Sequence, residues 1–539
     1  MSSRYREENP YDRLRRLASE APQELRIWKS GAAALPAVLL EASVQRATNL
    51  IRRTSRGGSF RDGSSVESEW ASVAGTLATW AQQYGDPRAH GPAVEKTDAV
   101  EAVELAKKWR TLDIGINGAR SGGVSITENK RGIWISPISD PRIEALDAIL
   151  ETIDTGSQAE QVVTPSLDPA FEHLKNLASS PGGAKITVPR WITALYVKHH
   201  KNYMTSRPWE TPLDTNLGGI SLRDATQLMA TLKGMSHLSR DVFMLFPSPV
   251  MANPMFEPDD LRRDLARFNP SLADKIDVFL DMFTYKGERG KSPLASPVIS
   301  WGEFLLLSPH LMHDTLEERV ILRAAASDPS NSGELGRALG DLCARWASRL
   351  ETISGTRVAT EVKVTTENGR KLGDLDIVAL DEANRLGLIV EAKWPIDART
   401  LPDAWKQEEA IDKGRHQIER LRREIANGAI VKFPQNWPGF EEIQWHWIVG
   451  TPRFLDSRLN QQGAPSTSLR LVEQVLPAES LSDFLERLDQ YTLPRQGREF
   501  NLTWTRAKIK GAVVNARALV MLVPQTSPTP ERGRHNGWT

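Results

Sequence analysis

Cysteine is almost absent from this chain: of 539 residues only Cys343 carries a thiol. One thiol cannot close an intramolecular disulfide or furnish a Cys-rich zinc site, so the chain fits a reducing compartment, the cytoplasm. Net charge is absent as well. Lys plus Arg and Asp plus Glu number 68 each, which excludes a whole-molecule basic field for nucleic acid but leaves room for a local basic surface. Long apolar runs are missing too. The most apolar early stretch, from Gly31 to Val44, is broken by Pro36 and Glu41 and falls short of the roughly 20 residues that span a bilayer. The start, Met1-Ser2-Ser3-Arg4, leads into a charged segment with no apolar core behind it, so neither a secretory signal nor a membrane partner is expected. No repeat period emerges. The loop-like glycines Gly115, Gly118, Gly122 and Gly123 match neither a dinucleotide fingerprint nor a Walker pattern, and His199-His200 and His310-x-x-His313 lack the partner acids of zinc motifs.

What is present is the composition of an ordinary globular protein, 40% hydrophobic and 25% charged, with a length that predicts about three domains. The expected class is α+β and multidomain. Residues 1–154 read as mostly helical: Trp70, Val73, Leu77 and Trp80 recur at helical spacing with Ser65 as a candidate N-cap, and Val100, Val103, Ala106 and Trp109 repeat the pattern. Gly-rich turns and a short β-like run, Gly132 to Ile135, are expected between Thr111 and Ile138. Residues 155–315 read as a mixed α/β region, with Ser221 as a cap for a helix to Met235. Residues 461–539 read as a C-terminal extension ending in a basic, Pro-rich tail. The sixteen tryptophans read as core anchors.

Residues 357–393 differ in kind. Three β-like runs are separated by turns at Glu367-Asn368-Gly369-Arg370 and near Asp381 to Arg385, the pattern of an antiparallel meander. If the second hairpin is symmetric about Ala383-Asn384, Asp376 lies opposite Glu391 and Asp374 opposite Lys393, and the period of two puts all four on one face. Leu375, Ile377, Val378, Leu380, Leu388, Ile389 and Val390 make the strands apolar on both faces, so both should be covered and the acids partly desolvated. Two ionised carboxylates at cross-strand distance repel unless a cation lies between them. Oxygen ligands suit Mg²⁺ or Mn²⁺, and Lys393 stands where it could serve an attacking water or a charged phosphate.

Asp376 followed fifteen residues later by Glu391-Ala392-Lys393 resembles the D…(D/E)-x-K signature of the PD-(D/E)xK nuclease superfamily, and Gly373-Asp374-Leu375-Asp376 resembles its G-(D/E)-x-D variant. The resemblance implies a restriction-endonuclease-like αβββαβ domain over about residues 316–460. It also implies Asp376 and Glu391 as ligands of Mg²⁺ or Mn²⁺, and Lys393 as the catalytic lysine. Upstream, Leu335, Leu339, Leu342, Trp346 and Leu350 form a helical stripe, on which Glu334 or Asp341 would supply the acid the family often places there. Downstream, a helix from about Trp405 to Ala426 carries Gln417, which resembles the substrate-side glutamine of RecB-like and Cas4-like members, although their following tyrosine is Leu421 here. The run Ile443 to Val449 would be the next strand.

The implied activity is hydrolysis of phosphodiester bonds, in DNA with RNA as the alternative, and phage defence, restriction or repair follows by family analogy alone. The competing expectation is an inactive nuclease-fold protein that binds nucleic acid or joins an assembly; a homo-oligomer or partner protein is left open. The zero net charge is a cancellation. Residues 1–65 hold twelve Lys/Arg against seven Asp/Glu, and residues 494–539 hold eight against two. Arg52-Arg53-Thr54-Ser55-Arg56 and the group Arg506, Lys508 and Lys510 are therefore candidate phosphate contacts.

Overall fold

The computed structural model describes residues 9–54, 62–120, 123–150, 165–178, 188–246, 252–312, 317–331, 343–393, 401–451 and 463–522, apart from positions 139, 147, 207–208, 210, 289 and 329–330. The described residues form an α+β structure with three sheets. Four helices open the chain: α1 (Pro10–Gln23), α2 (Ala34–Thr54), α3 (Asp62–Tyr84) and α4 (Lys96–Arg120). Asn9 caps α1 by accepting from the Tyr11 backbone N–H, and Pro10 occupies the first turn, where no backbone donor is needed. Trp70, Val73, Leu77 and Trp80 are buried as their spacing predicts. The helix begins at Asp62, however, so Ser65 lies inside it rather than at its cap.

Gly115 and Gly118 are not in a loop, whereas Gly123 lies between helix and strand and Gly122 falls outside the described residues. Helix α4 runs on through Arg120, and a Cβ at Gly115 would fall 2.5 Å from both Ile135 Cδ1 and Leu14 Cδ2, while one at Gly118 would fall 2.5 Å from Val124 Cγ1. These positions are glycine because a helix and a strand pack at the closest approach there, which outweighs their low helix propensity.

After α4 come strands β1 (Val124–Asn129) and β2 (Gly132–Pro137). They form an antiparallel hairpin, and its partners come from the far end of the chain: β13 (Phe500–Ile509) and β14 (Ala512–Met521) complete a sheet in the order β1-β2-β14-β13. Its inner face packs Ile133, Ile135, Ala507, Ile509, Val514 and Ala516 against α1 and α4.

The middle of the chain holds a small sheet of β3 (Met255–Phe256), β4 (Thr284–Tyr285), β5 (Val298–Trp301) and β6 (Phe304–Leu307). Val298 and Leu307 join a core around the helix Leu222–Leu245, while Ile299, Trp301 and Leu306 join the core of α2, α3 and α4. Ser221 caps that helix by accepting from the Asp224 N–H at 3.1 Å, and the helix runs ten residues past Met235. Among the described residues no helix is long and apolar enough to cross a membrane.

The sheet that carries the singled-out acids has six strands in the order β10-β7-β8-β9-β11-β12: β7 (Thr356–Thr365), β8 (Lys371–Asp381), β9 (Leu386–Ala392), β10 (Ile430–Val431), β11 (Gln444–Thr451) and β12 (Ser466–Ser468). Strands β7, β8 and β9 form the antiparallel meander. The helix Leu401–Ala426 leads to β11, which runs parallel to β9. Both faces are covered, as the apolar pattern requires. Ile411, Ile418 and Leu421 of that helix lie over Val378 and Ile389 on one side. On the other, Trp346 and Leu350 of a helix over 343–350, with the helices Leu469–Val475 and Leu481–Asp489, lie over Ile377 and Val390.

Candidate active site

The β8–β9 ladder pairs Ile377 with Val390, Val378 with Ile389 and Ala379 with Leu388, the register that symmetry about Ala383-Asn384 predicts. The turn is held by Asp381, which is buried and accepts from the Asn384 backbone N–H at 3.1 Å and its side-chain amide at 2.8 Å. One residue beyond the Ile377–Val390 pair, the strands carry Asp376 and Glu391. Asp376 Oδ2 accepts from the backbone N–H of Ala392 at 2.8 Å.

Burial at this point acts on both acids. It raises the Asp376 pKa above the ordinary carboxylate value, and burial together with the neighbouring Asp376 charge pushes Glu391 up to about 7. Lys393 Nζ reaches Glu391 Oε1 at 2.5 Å and Gln417 Oε1 at 3.4 Å. Gln417 arrives on the helix Leu401–Ala426, where Gly414 makes room: a Cβ there would lie 3.2 Å from the Lys393 Cγ and 3.0 Å from a Val449 methyl. A mid-helix glycine, costly by propensity, thus lets the lysine stem lie flat against the helix.

Asp374 is placed differently from its expected pairing with Lys393. Its Oδ2 meets Lys371 Nζ at 2.5 Å, its cross-strand neighbour on β7 is Lys363, and its Oδ1 is buried with no hydrogen-bond partner. Glu334 and Asp341 lie outside the described residues, as does Arg56.

Two groups near the acids carried no signal in the sequence. Position 361 falls between the pairs Thr360–Ile377 and Val362–Leu375, so Glu361 stands across from Asp376, and its φ of 53° takes it out of extended conformation. Such a kink in a strand re-aims side chains next to it and is found beside functional sites. Glu361→Val is expected to destabilise the protein by about 1–2 kcal/mol despite valine's preference for strands, because a β-branched residue resists positive φ. Glu361→Gly should be tolerated; urea unfolding of the two variants checks this, and a valine variant as stable as wild type would contradict it. The second group is Cys343, whose thiol is pushed up to about 11 by burial and by Asp376, Glu361 and Glu391. It is a neutral thiol at physiological pH, not a nucleophile.

The residues present suit a small divalent cation by charge. With both acids ionised, one ammonium faces two carboxylates, and the orphaned Asp374 oxygen adds an acceptor nearby. Among the described residues no group of three or more His, Cys, Asp and Glu side chains is arranged to hold a metal, so the acid pair would need further oxygen ligands from backbone, water or substrate.

The histidines singled out by sequence lie elsewhere. His200 Nε2 contacts His237 Nδ1 at 3.0 Å, and His310 Nε2 contacts Ser43 Oγ at 3.0 Å. Burial holds His200 in the neutral form and pushes His310 down to about 3; His313 lies outside the described residues. Of the basic candidates, Lys510 is engaged by Glu20 and Glu24 at 3.1 and 2.6 Å. Comparison of the chain with protein-family models, with curated proteins and with solved structures finds no match.

Proposed function

We propose that this protein is a Mg²⁺- or Mn²⁺-dependent nuclease of the PD-(D/E)xK type, hydrolysing phosphodiester bonds in DNA. One observation carries the reading: Asp376, Glu391, Lys393 and Gln417 come together where the β8–β9 ladder ends, against the helix that leads to a parallel strand. The order of elements there, β7-β8-β9-helix-β10-β11 after the helix over 343–350 and with β11 parallel to β9, supports it.

Asp376 and Glu391 would hold the ion. When bound, such an ion polarises a phosphate oxygen and acidifies water. The Ala392 N–H fixes Asp376, leaving its second oxygen for the ligand role. Lys393, kept in place by Glu391 and Gln417, presents an ammonium to the negative charge that develops on the phosphate. Gln417 acts through Lys393 and is a positioning residue.

Lys393→Ala tests this assignment. Its rate of plasmid cleavage in Mg²⁺ is expected to fall on the order of 10²-fold or more, the cost of removing a preorganised charge-stabilising donor. Undiminished cleavage would remove Lys393 from the mechanism. DNA binding without metal-dependent cutting on any DNA or RNA would favour the non-catalytic reading of the same fold.

A further inference from the structure

The outer face of the β1-β2-β14-β13 sheet takes no part in the acid site. Along β13 the side chains alternate: Ala507 and Ile509 point into the core, so Trp504, Arg506 and Lys508 point out. The ladder sets Arg517 opposite Trp504 and Asn515 opposite Arg506, and Trp134 of β2 lies beside Asn515. The rings of Trp134 and Trp504 meet edge to face with centroids 4.8 Å apart. Trp134 is pinned by its indole N–H, which donates to Asn129 Oδ1 at 3.1 Å. Trp504 remains 48% exposed, an unusual position for the largest apolar side chain.

Cations border the two rings, and the Glu144 carboxylate lies near one of them, Arg517. Arg506 and Lys508 are exposed, and no carboxylate among the described residues pairs with either. Arg517 donates to the Pro137 carbonyl beside them, and exposed Lys130 and Arg131 form the β1–β2 turn at the Lys508 end. An aromatic platform bordered by cations is what a flexible nucleic-acid strand needs: a π-face for an unstacked base and donors for the phosphates on either side. A duplex hides its base faces and offers nothing to the indoles.

We infer that this face binds single-stranded DNA, with Trp504 and Trp134 stacking a base and Arg506 and Lys508 contacting phosphates. The choice of DNA rests on the nuclease reading above; the surface itself does not. Helix α4 backs this sheet and touches the helix Leu401–Ala426 that carries Gln417, so platform and acid site belong to connected elements.

Binding of a labelled 20-nucleotide oligo-dT to the full chain by fluorescence anisotropy, with EDTA present so that nothing is cut, tests the assignment. Trp504→Ala is expected to weaken binding about 5- to 100-fold, the effect of losing one stacked base. The double variant Arg506→Ala/Lys508→Ala should lower the slope of log K against log salt by about 1.4, two phosphates' share on a single strand. Lys510→Ala, whose partners are Glu20 and Glu24, should change little. Equal affinity of wild type and Trp504→Ala, or tighter binding to a duplex or to oligo-U, overturns the inference. The outcomes separate from those of the nuclease reading: Trp504-dependent binding by a protein that never cuts keeps the platform and sinks the nuclease, and cleavage unaffected by Trp504→Ala with no oligo-dT affinity does the reverse.

Discussion

Glu391→Gln is expected to make the protein more stable and, at the same time, inactive. A carboxyl whose pKa is raised from 4.5 to about 7 binds its proton more tightly folded than unfolded. The native state therefore gains relative to the unfolded state below pH 4.5, and that gain is lost as pH rises through 7. At pH 8 the buried carboxylate costs on the order of 3 kcal/mol, at 1.36 kcal/mol per pKa unit, the attraction of Lys393 included. A neutral amide removes that cost. Thermal melts at pH 8 should show a higher Tm for the variant, and the difference should vanish or reverse near pH 4.5. Added Mg²⁺ should raise the Tm of the wild type alone, because only it offers the cation two carboxylates. A variant less stable than wild type at pH 8 would mean that Glu391 is a structural partner of Lys393. This opposition of stability and activity is expected of a functional site and not of a structural ion pair.

The second large effect lies behind the sheet. Trp346 is fully buried in the cluster that includes Ile377 and Val390, the residues next to Asp376 and Glu391, and its ring passes close to Gly450 on β11. Trp346→Ala is expected to cost about 3–5 kcal/mol, the range for deleting a large aromatic from a packed core. That is a large part of the 5–15 kcal/mol typical of whole domains, so the variant should melt far earlier and lose cleavage with its fold. Trp346→Phe, which keeps most of the volume, should restore much of both. A loss under about 1 kcal/mol in urea unfolding of Trp346→Ala would show that the helix over 343–350 does not support the strands.

Different kinds of information account for what the sequence revealed. The β8–β9 register was legible because turn chemistry at Asn384 and the apolar period fix a hairpin locally. Gln417 could be placed because helix Leu401–Ala426 follows the strand directly. The kink at Glu361 was not legible, since nothing in Thr360-Glu361-Val362 marks a positive φ, and neither was the Lys371 partner of Asp374, since long flexible side chains choose among several neighbours. Pairing of β14 with β2, across some 380 residues of chain, leaves no periodic trace; the glycines of α4 recorded the close packing beneath that sheet and read instead as a loop. Mid-helix glycines at positions 115, 118 and 414 all mark close approach, and Gly414, in the helix that carries Gln417, marks where the Lys393 stem lies.

The most direct test of the central claim is the rate at which purified protein nicks supercoiled plasmid in Mg²⁺ or Mn²⁺, with and without chelator, for wild type beside Glu391→Ala. The account predicts cleavage by the wild type that chelator abolishes and a variant slower on the order of 10³-fold, the scale set by losing a transition-state electrostatic group. Equal cleavage by both proteins, or cutting by the wild type that survives chelation, would contradict it.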